Sequence, residues 1–351
     1  MSERGQGSGG EFDASKSAVL SASRFCLALI VMAYHLSGSI APQSGLVAVE
    51  AFFGISGFLV TMIATGAYAG RPKAFLANRF LRIYPLYWAC LLVSLAIILH
   101  HPGGRALNPF WVLPAAPRQI LANVLVFGLT QDTPSRLLPP AWSLHTELWF
   151  YLIIGLGTAT RPRLTVICAL ISVIISACCV LHILPIPFYG HPIGNAYAFF
   201  LGSLAWQFRR KISLPAPAIL LAVLTCLFAI LALGPQIRGD TANIFVAPFI
   251  TPVLLISLLQ ARPSLPTLLH GHFNFLGKIS YPMFLLHWPV AMLFWSILKI
   301  GIGPALFVVS SLATIVLATA IHFAVEQQLD YVRDAIRLRR NGPGKPSLDR
   351  A

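Results

Sequence analysis

Charge is scarce in this chain. Only 10% of its 351 residues are Asp, Glu, Lys or Arg, against about 25% in a soluble domain. Acids are rarest, 11 against 25 Lys and Arg. A surface this poor in charge excludes an ordinary water-soluble fold. The six cysteines (Cys26, Cys90, Cys168, Cys178, Cys179 and Cys226) all fall inside apolar runs. Their spacing forms neither a disulfide framework nor a thiolate metal site. Residues 1–17 are polar and rich in Gly and Ser. They lack the apolar core of a signal peptide, so this segment is expected to be a disordered tail and the first apolar run to remain as a helix. No internal repeat and no second domain are visible.

What is abundant is hydrophobic sequence: 57% of residues, with a mean hydropathy of +0.76. The expected fold is an all-α polytopic membrane bundle of about ten transmembrane helices, because a span needs about 20 apolar residues. Spans are expected near 18–37, 46–66, 83–100, 144–160, 164–184, 194–208, 216–233, 243–260, 280–298 and 303–325. The shorter run 119–131 reads as interfacial or re-entrant. With both termini cytoplasmic, the inner loops collect Arg71, Lys73, Arg79, Arg82, Arg161, Arg163, Arg209, Arg210, Lys211, Arg262 and Lys278. The outer loops hold mainly Arg105, Arg118, Arg136, Arg238 and Lys299. Counting 119–131 as a full span would invert every later loop and place Arg209, Arg210 and Lys211 outside. The net charge of +14 is therefore the positive-inside bias of a membrane protein rather than a nucleic-acid footprint. Residues 18–330 form the membrane domain. Residues 331–351 form a basic cytoplasmic tail suited to anionic headgroups.

The stretch RFCLALIVMAYH carries Arg24 at its start and His35 at its end. Eleven helical steps advance about 16.5 Å over about three turns, so both side chains share one helix face. An ionisable group within a span marks a site by default, although Arg24 snorkelling to headgroups and His35 resting at the interface is an equally available account. Glu50 opens the second span, where it can pair with His35 across neighbouring helices, and Ser56 and Gly57 follow as small residues suited to close helix packing. Arg79 and Arg82 are spaced by three on one face. They read either as positive-inside charge or as an anion clamp for phosphates. Trp142 and Ser143 precede a span holding Glu147; an aromatic belt accounts for the Trp but not for the acid. His287 lies between two prolines in a late span, where a satisfied core histidine is the bland account. Glu326 ends the last span at the inner face, as a plain interfacial acid would.

Together and in this order, these elements resemble the membrane-bound acyltransferase-3 family of bacterial O-acyltransferases. Arg24 and His35 match the family's Arg-x10-His signature. VEAFFGISGFLVT matches its second element, with Glu50 where Asp is usual and Ala48 where Gly is usual. Arg79 and Arg82, with Ile83 and Pro85, match its R-x-x-R element. AWSLHTELWFYL matches the W-S-L-x-x-E element in Trp142, Ser143 and Glu147. GKISYPMFLLHWPV matches the late element through Tyr281 and His287, with Phe284 where Tyr is usual. Glu326 falls at the family's acid near the end of the last span.

The resemblance covers roughly residues 18–330 and implies acyl transfer, acetyl above all, from acyl-CoA as donor co-substrate to a hydroxyl of a sugar or exported polysaccharide. No bound cofactor, metal or nucleic acid is implied. His35, Arg24, Glu50 and Glu147 become catalytic candidates, and Arg79, Arg82 and Glu326 candidates for the donor's phosphate end. Trp142, Ser143, Tyr281 and His287 become candidates for the acceptor. Imidazole, with an ordinary pKa of about 6.5, suits a general base on a hydroxyl. The implied setting is the bacterial inner membrane, in contact with lipids and with a separate polysaccharide-synthesis machinery. A small-molecule or lipid-linked acceptor is the alternative. A transporter is a further one, although the paired inverted repeats common in transporters are missing.

Overall fold

The computed structural model describes residues 14–38, 43–101, 103, 107–233, 240–261 and 265–338. Residues 1–13 and 339–351, the latter with the tail cations Arg339, Arg340 and Lys345, and the loop cations Arg105, Arg238 and Arg262 lie outside the described residues. The chain is all-helical, and among the described residues there is no strand. Helices α1 (Ala14–Leu36), α2 (Ser44–Thr65), α3 (Pro72–His100), α4 (Pro117–Leu125), α5 (Trp142–Leu156) and α6 (Pro162–Val180) make the first half. Helices α7 (Pro192–Phe208), α8 (Pro217–Leu233), α9 (Asp240–Ala261), α10 (Thr267–Leu298), α11 (Pro304–Ile321) and α12 (Gln327–Leu338) make the second. Six of these helices open on proline, whose fixed φ and missing N–H suit the first helical position.

Seven helices are long and apolar enough to cross a bilayer: α1, α2, α3, α6, α9, α10 and α11. The other three expected spans coincide with α5, α7 and α8, which have only 15, 17 and 17 residues. At nine residues, α4 rises only about 13.5 Å and is too short to span. Several ends differ from the sequence expectation. The tail's last residues, from Ala14, already belong to α1, because an alanine- and serine-rich turn there packs onto α10. Helix α3 begins at Pro72, so it carries Arg79 and Arg82 within its body, and α10 begins at Thr267. The C-terminal segment is helical to Leu338. A π turn (His322–Glu326) links α11 to α12, and Arg71 Nη2 donates to the Ile336 carbonyl at 2.6 Å.

Helix α2 is the axis. Two thirds of its apolar window is buried, against 28% for α6, so α2 is enclosed by helices while α6 turns most of its surface to lipid. It packs on α1, α5, α7, α8 and α9. At the α2–α7 crossing the two backbones touch. A Cβ on Gly57 would meet the carbonyl oxygen of Phe199, and one on Gly202 that of Gly54. Glycine lets two helices approach closely where no hydrophobic force separates helix from lipid. Helix α1 packs on α10, α10 on α3 and α11. Outward-facing Leu92, Ile174, Ile230 and Val316 form the lipid-facing surface.

Candidate functional site

His35 closes α1 and faces α10. Its Nδ1 is 2.9 Å from Nε2 of His287, and the two rings stack at 5.1 Å between centroids. Nδ1 of His287 lies 2.7 Å from the Phe284 carbonyl oxygen. A carbonyl only accepts, so His287 carries its proton on Nδ1. A neutral ring then presents an Nε2 lone pair, which accepts the Nδ1–H of His35. The network thus assigns His35 the tautomer with a free lone pair on Nε2. Trp288 packs its ring 5.2 Å from that of His35.

His35 lines a chamber of about 480 Å³ walled by Tyr34, Asn108, Arg136, Trp142, Tyr189 and Trp288 among others. That volume lies within the usual range of small-ligand sites, about 300–1,000 Å³. Below it lies a narrower cavity of about 60 Å³ lined by Arg24, Ser56, Ser143, Glu147, Ser280 and Tyr281. Val49 and Phe284 line both, so the two spaces meet between α2 and α10. Arg24 lines the lower cavity and His35 the chamber, so the α1 face that carries them borders both.

Glu147 is held in that lower cavity. Its Oε1 accepts from Ser56 Oγ at 2.8 Å and from Tyr151 Oη at 2.5 Å. Ser56 is thus a ligand of the acid, while Gly57 serves the close packing. Among the described residues Arg24 makes no hydrogen bond or ion pair. Arg79 sits by the Tyr151 ring at 5.9 Å, donates to Asn78 Oδ1 at 2.6 Å and leaves its buried Nε unpartnered. Arg82 is ion-paired with Glu326. Glu326 also receives His322 at 2.7 Å and Arg333 at 3.7 Å. Glu326 therefore neutralises cations from α3 and α12 rather than standing free.

Three expected residues sit elsewhere than anticipated. Glu50 does not pair with His35. It is fully buried on the α7 side of α2, where Asn195 donates to it, because the helix places residue 50 away from the face that carries Val49 into the cavities. His287 lies behind His35, wholly buried, and bonds it rather than lining the chamber. Ser143 lines the lower cavity, but its hydroxyl donates to the Pro140 carbonyl at 2.9 Å. Trp142 lines the chamber, and Tyr281 lines the lower cavity with its hydroxyl 3.3 Å from the Ile83 carbonyl.

Arg136, read from sequence only as a loop cation, is buried in the chamber wall at 4% exposure. Burial lowers its guanidinium to about 10, with Asp132 acting in the opposite direction. Nothing in the loop sequence distinguishes it from Arg105 or Arg118; only the return of the 107–140 loop over the helix ends puts it there. Asn108 and Gln131 enter the chamber the same way, Tyr189 enters it from the loop between α6 and α7, and none of the three carries a sequence signal.

Residues 19–323 match a family model described as an acyltransferase domain. Among curated proteins, the chain is 25% identical over 300 residues to the exopolysaccharide production protein ExoZ of Rhizobium meliloti, covering 81% of this chain and 89% of that protein. It is 25% identical over 269 residues to the putative membrane-bound transacylase BcsY of Komagataeibacter xylinus, covering 70% and 66%. It is 34% identical over 120 residues to protein 2 in the picA locus of Rhizobium radiobacter, covering 30% and 63%. The chain thus spans just under two thirds of the length of two of these three relatives. No solved structure matches.

Proposed function

The chain belongs to the acyltransferase-3 family of membrane acyltransferases, and on that footing we propose that it moves an acetyl group from acetyl-CoA to a hydroxyl of a sugar in a cell-surface or exported polysaccharide. The observation that carries this reading is the relay from the Phe284 carbonyl through His287 to His35, on a ring that lines a ligand-sized chamber. It leaves the His35 Nε2 lone pair free for a proton. The name of one relative, an exopolysaccharide production protein, supports the acceptor class, and that of another, a putative transacylase, supports the reaction type.

In this reading the acceptor occupies the chamber at the outer face of the inner membrane and the donor enters from the cytoplasmic end. His35 takes the proton of the acceptor hydroxyl as its oxygen attacks the thioester carbonyl carbon. The tetrahedral intermediate collapses with loss of the C–S bond, and the imidazolium returns the proton to the departing CoA sulfur. Atoms and charge balance without a further reagent. His287 is a positioning residue, because it acts only through His35.

Arg24 lies about three turns from His35, too far to reach the reacting carbon. It suits the donor's polar arm in the lower cavity, beside Glu147 and Ser56. Arg79, with its unpaired Nε, suits the donor phosphates. Arg82 and Glu326 form a charged rim tied to α12 through Arg333. Trp142 and Trp288 offer flat apolar faces of the kind sugar rings stack on.

The test is chemical. Deleting the gene and comparing base-labile acetyl esters on the cell's glycans by NMR should show one class of ester missing and restored by the wild-type gene. An unchanged ester profile would count against a glycan acceptor and leave a small-molecule hydroxyl as the alternative.

A further inference from the structure

Arg136 is a buried cation that uses one of its five N–H donors among the described residues. Its guanidinium stacks on the Phe110 ring at 4.3 Å from the centroid, which fixes its plane. Its backbone N–H donates to the Phe110 carbonyl at 2.8 Å. Nη1 makes one long bond, 3.4 Å, to the Pro139 carbonyl. Nε is buried with no partner, and among the described residues Nη2 has none and no carboxylate pairs with the group. Asp132 lines the same chamber but forms no ion pair with it. Asp132 thus offsets the charge only from a distance, and the buried N–H donors stay unpaired, which is unfavourable unless a ligand completes them.

The Nε–Nη2 edge is the side of arginine that matches a carboxylate in a bidentate, two-bond fork. The chamber adds neutral partners suited to sugar hydroxyls, Asn108, Gln131, Tyr34 and Tyr189. His35 lies in the same chamber, so a proton taken by the base adds a second positive charge to a space that already holds Arg136. An anion bound between them offsets that repulsion when the proton moves.

We propose that Arg136 forms an anion subsite, selecting acceptors that carry a carboxylate substituent, such as a uronic-acid residue, close to the hydroxyl that is acylated. This rests on the acceptor occupying the His35 chamber, as argued above. The rival account is that Arg136 merely tethers its loop to Pro139.

The experiment compares binding to the full-length protein in nanodiscs of a glucuronate-containing oligosaccharide and its carboxyl-reduced neutral counterpart, read by quenching of tryptophan fluorescence. Wild type should bind the acidic form at least tenfold more tightly. Arg136→Gln should bring the acidic form to within about twofold of the neutral one, and Arg136→Lys should keep part of the preference. Equal binding of both forms by wild type, which needs no variant to fold, overturns the proposal. So does a preference that survives in Arg136→Gln. Labelled acetyl transfer measured alongside separates the two ideas. Esters formed without acid preference remove the subsite and keep the transferase reading of the chamber, whereas acid-selective binding with no ester formed on either glycan does the reverse.

Discussion

A neutral imidazole accepts a proton only through the nitrogen that lacks one, so the residue behind a histidine decides whether it is a base on the side that matters. Here that residue is His287, held by a backbone carbonyl rather than by an acid. Replacing His287 with Leu should lower kcat about tenfold, the worth of one hydrogen bond of roughly 1–1.5 kcal/mol. The KM for acetyl-CoA should stay unchanged, and His287→Gln, whose amide oxygen can accept from His35, should recover part of kcat. A loss confined to KM, or equal loss in both variants, would show that His287 does not orient the base. The sequence carried His35 and His287 as separate candidates 252 positions apart; their contact depends on α1 docking on α10, which no local pattern encodes. Glu50 illustrates the opposite error. An acid one residue from a cavity-lining valine reads as a site residue, yet a step of about 100° around the helix turns it to Asn195. Arg136 was visible only as a charge.

At the level of elements, the sequence defined the helices well and their ends poorly. Long apolar runs locate the helices, and proline at the first helical position marks where half of them begin, as at Pro162, Pro192 and Pro304. The polar first turns of α3 and α10 lie outside any hydropathy window, so both helices run further than their apolar cores suggest. The α2–α7 contact is where an element-scale substitution bites hardest. A methyl group at Gly57 has only the Phe199 backbone to meet, and backbone cannot rotate away as a side chain can. Gly57→Ala should cost about 1–3 kcal/mol, the usual range for overpacking, and lower the melting temperature in detergent. A melting curve superimposable on wild type would mean the two helices are not seated as described. Helix α12 is fastened to α3 through Arg333 and Glu326 and through Arg71, so the rim charges bind the bundle's end together as well as marking it.

For the whole molecule, composition alone established a lipid-embedded helical bundle, and the ordered motifs pointed to its family. Seven helices meet the length of a span, and the three shorter ones, α5, α7 and α8, stand where further spans were expected. What composition could not supply is the enclosed space. A chamber of about 480 Å³ beside a cavity of about 60 Å³ arises from how four helices and two loops converge, with Val49 and Phe284 lining both. The residues that line it come from α1, α2, α5, α10 and loops spread across the chain, so no single window of sequence contains it. The account stands on one group in that space, the His35 imidazole. Its most direct measurement is single-turnover transfer of labelled acetyl from acetyl-CoA to a glycan hydroxyl by purified protein in proteoliposomes, for wild type and His35→Gln. The account predicts that His35→Gln inserts, binds acetyl-CoA and transfers about a hundredfold to ten-thousandfold more slowly, the usual worth of a general base; transfer at the wild-type rate would contradict it.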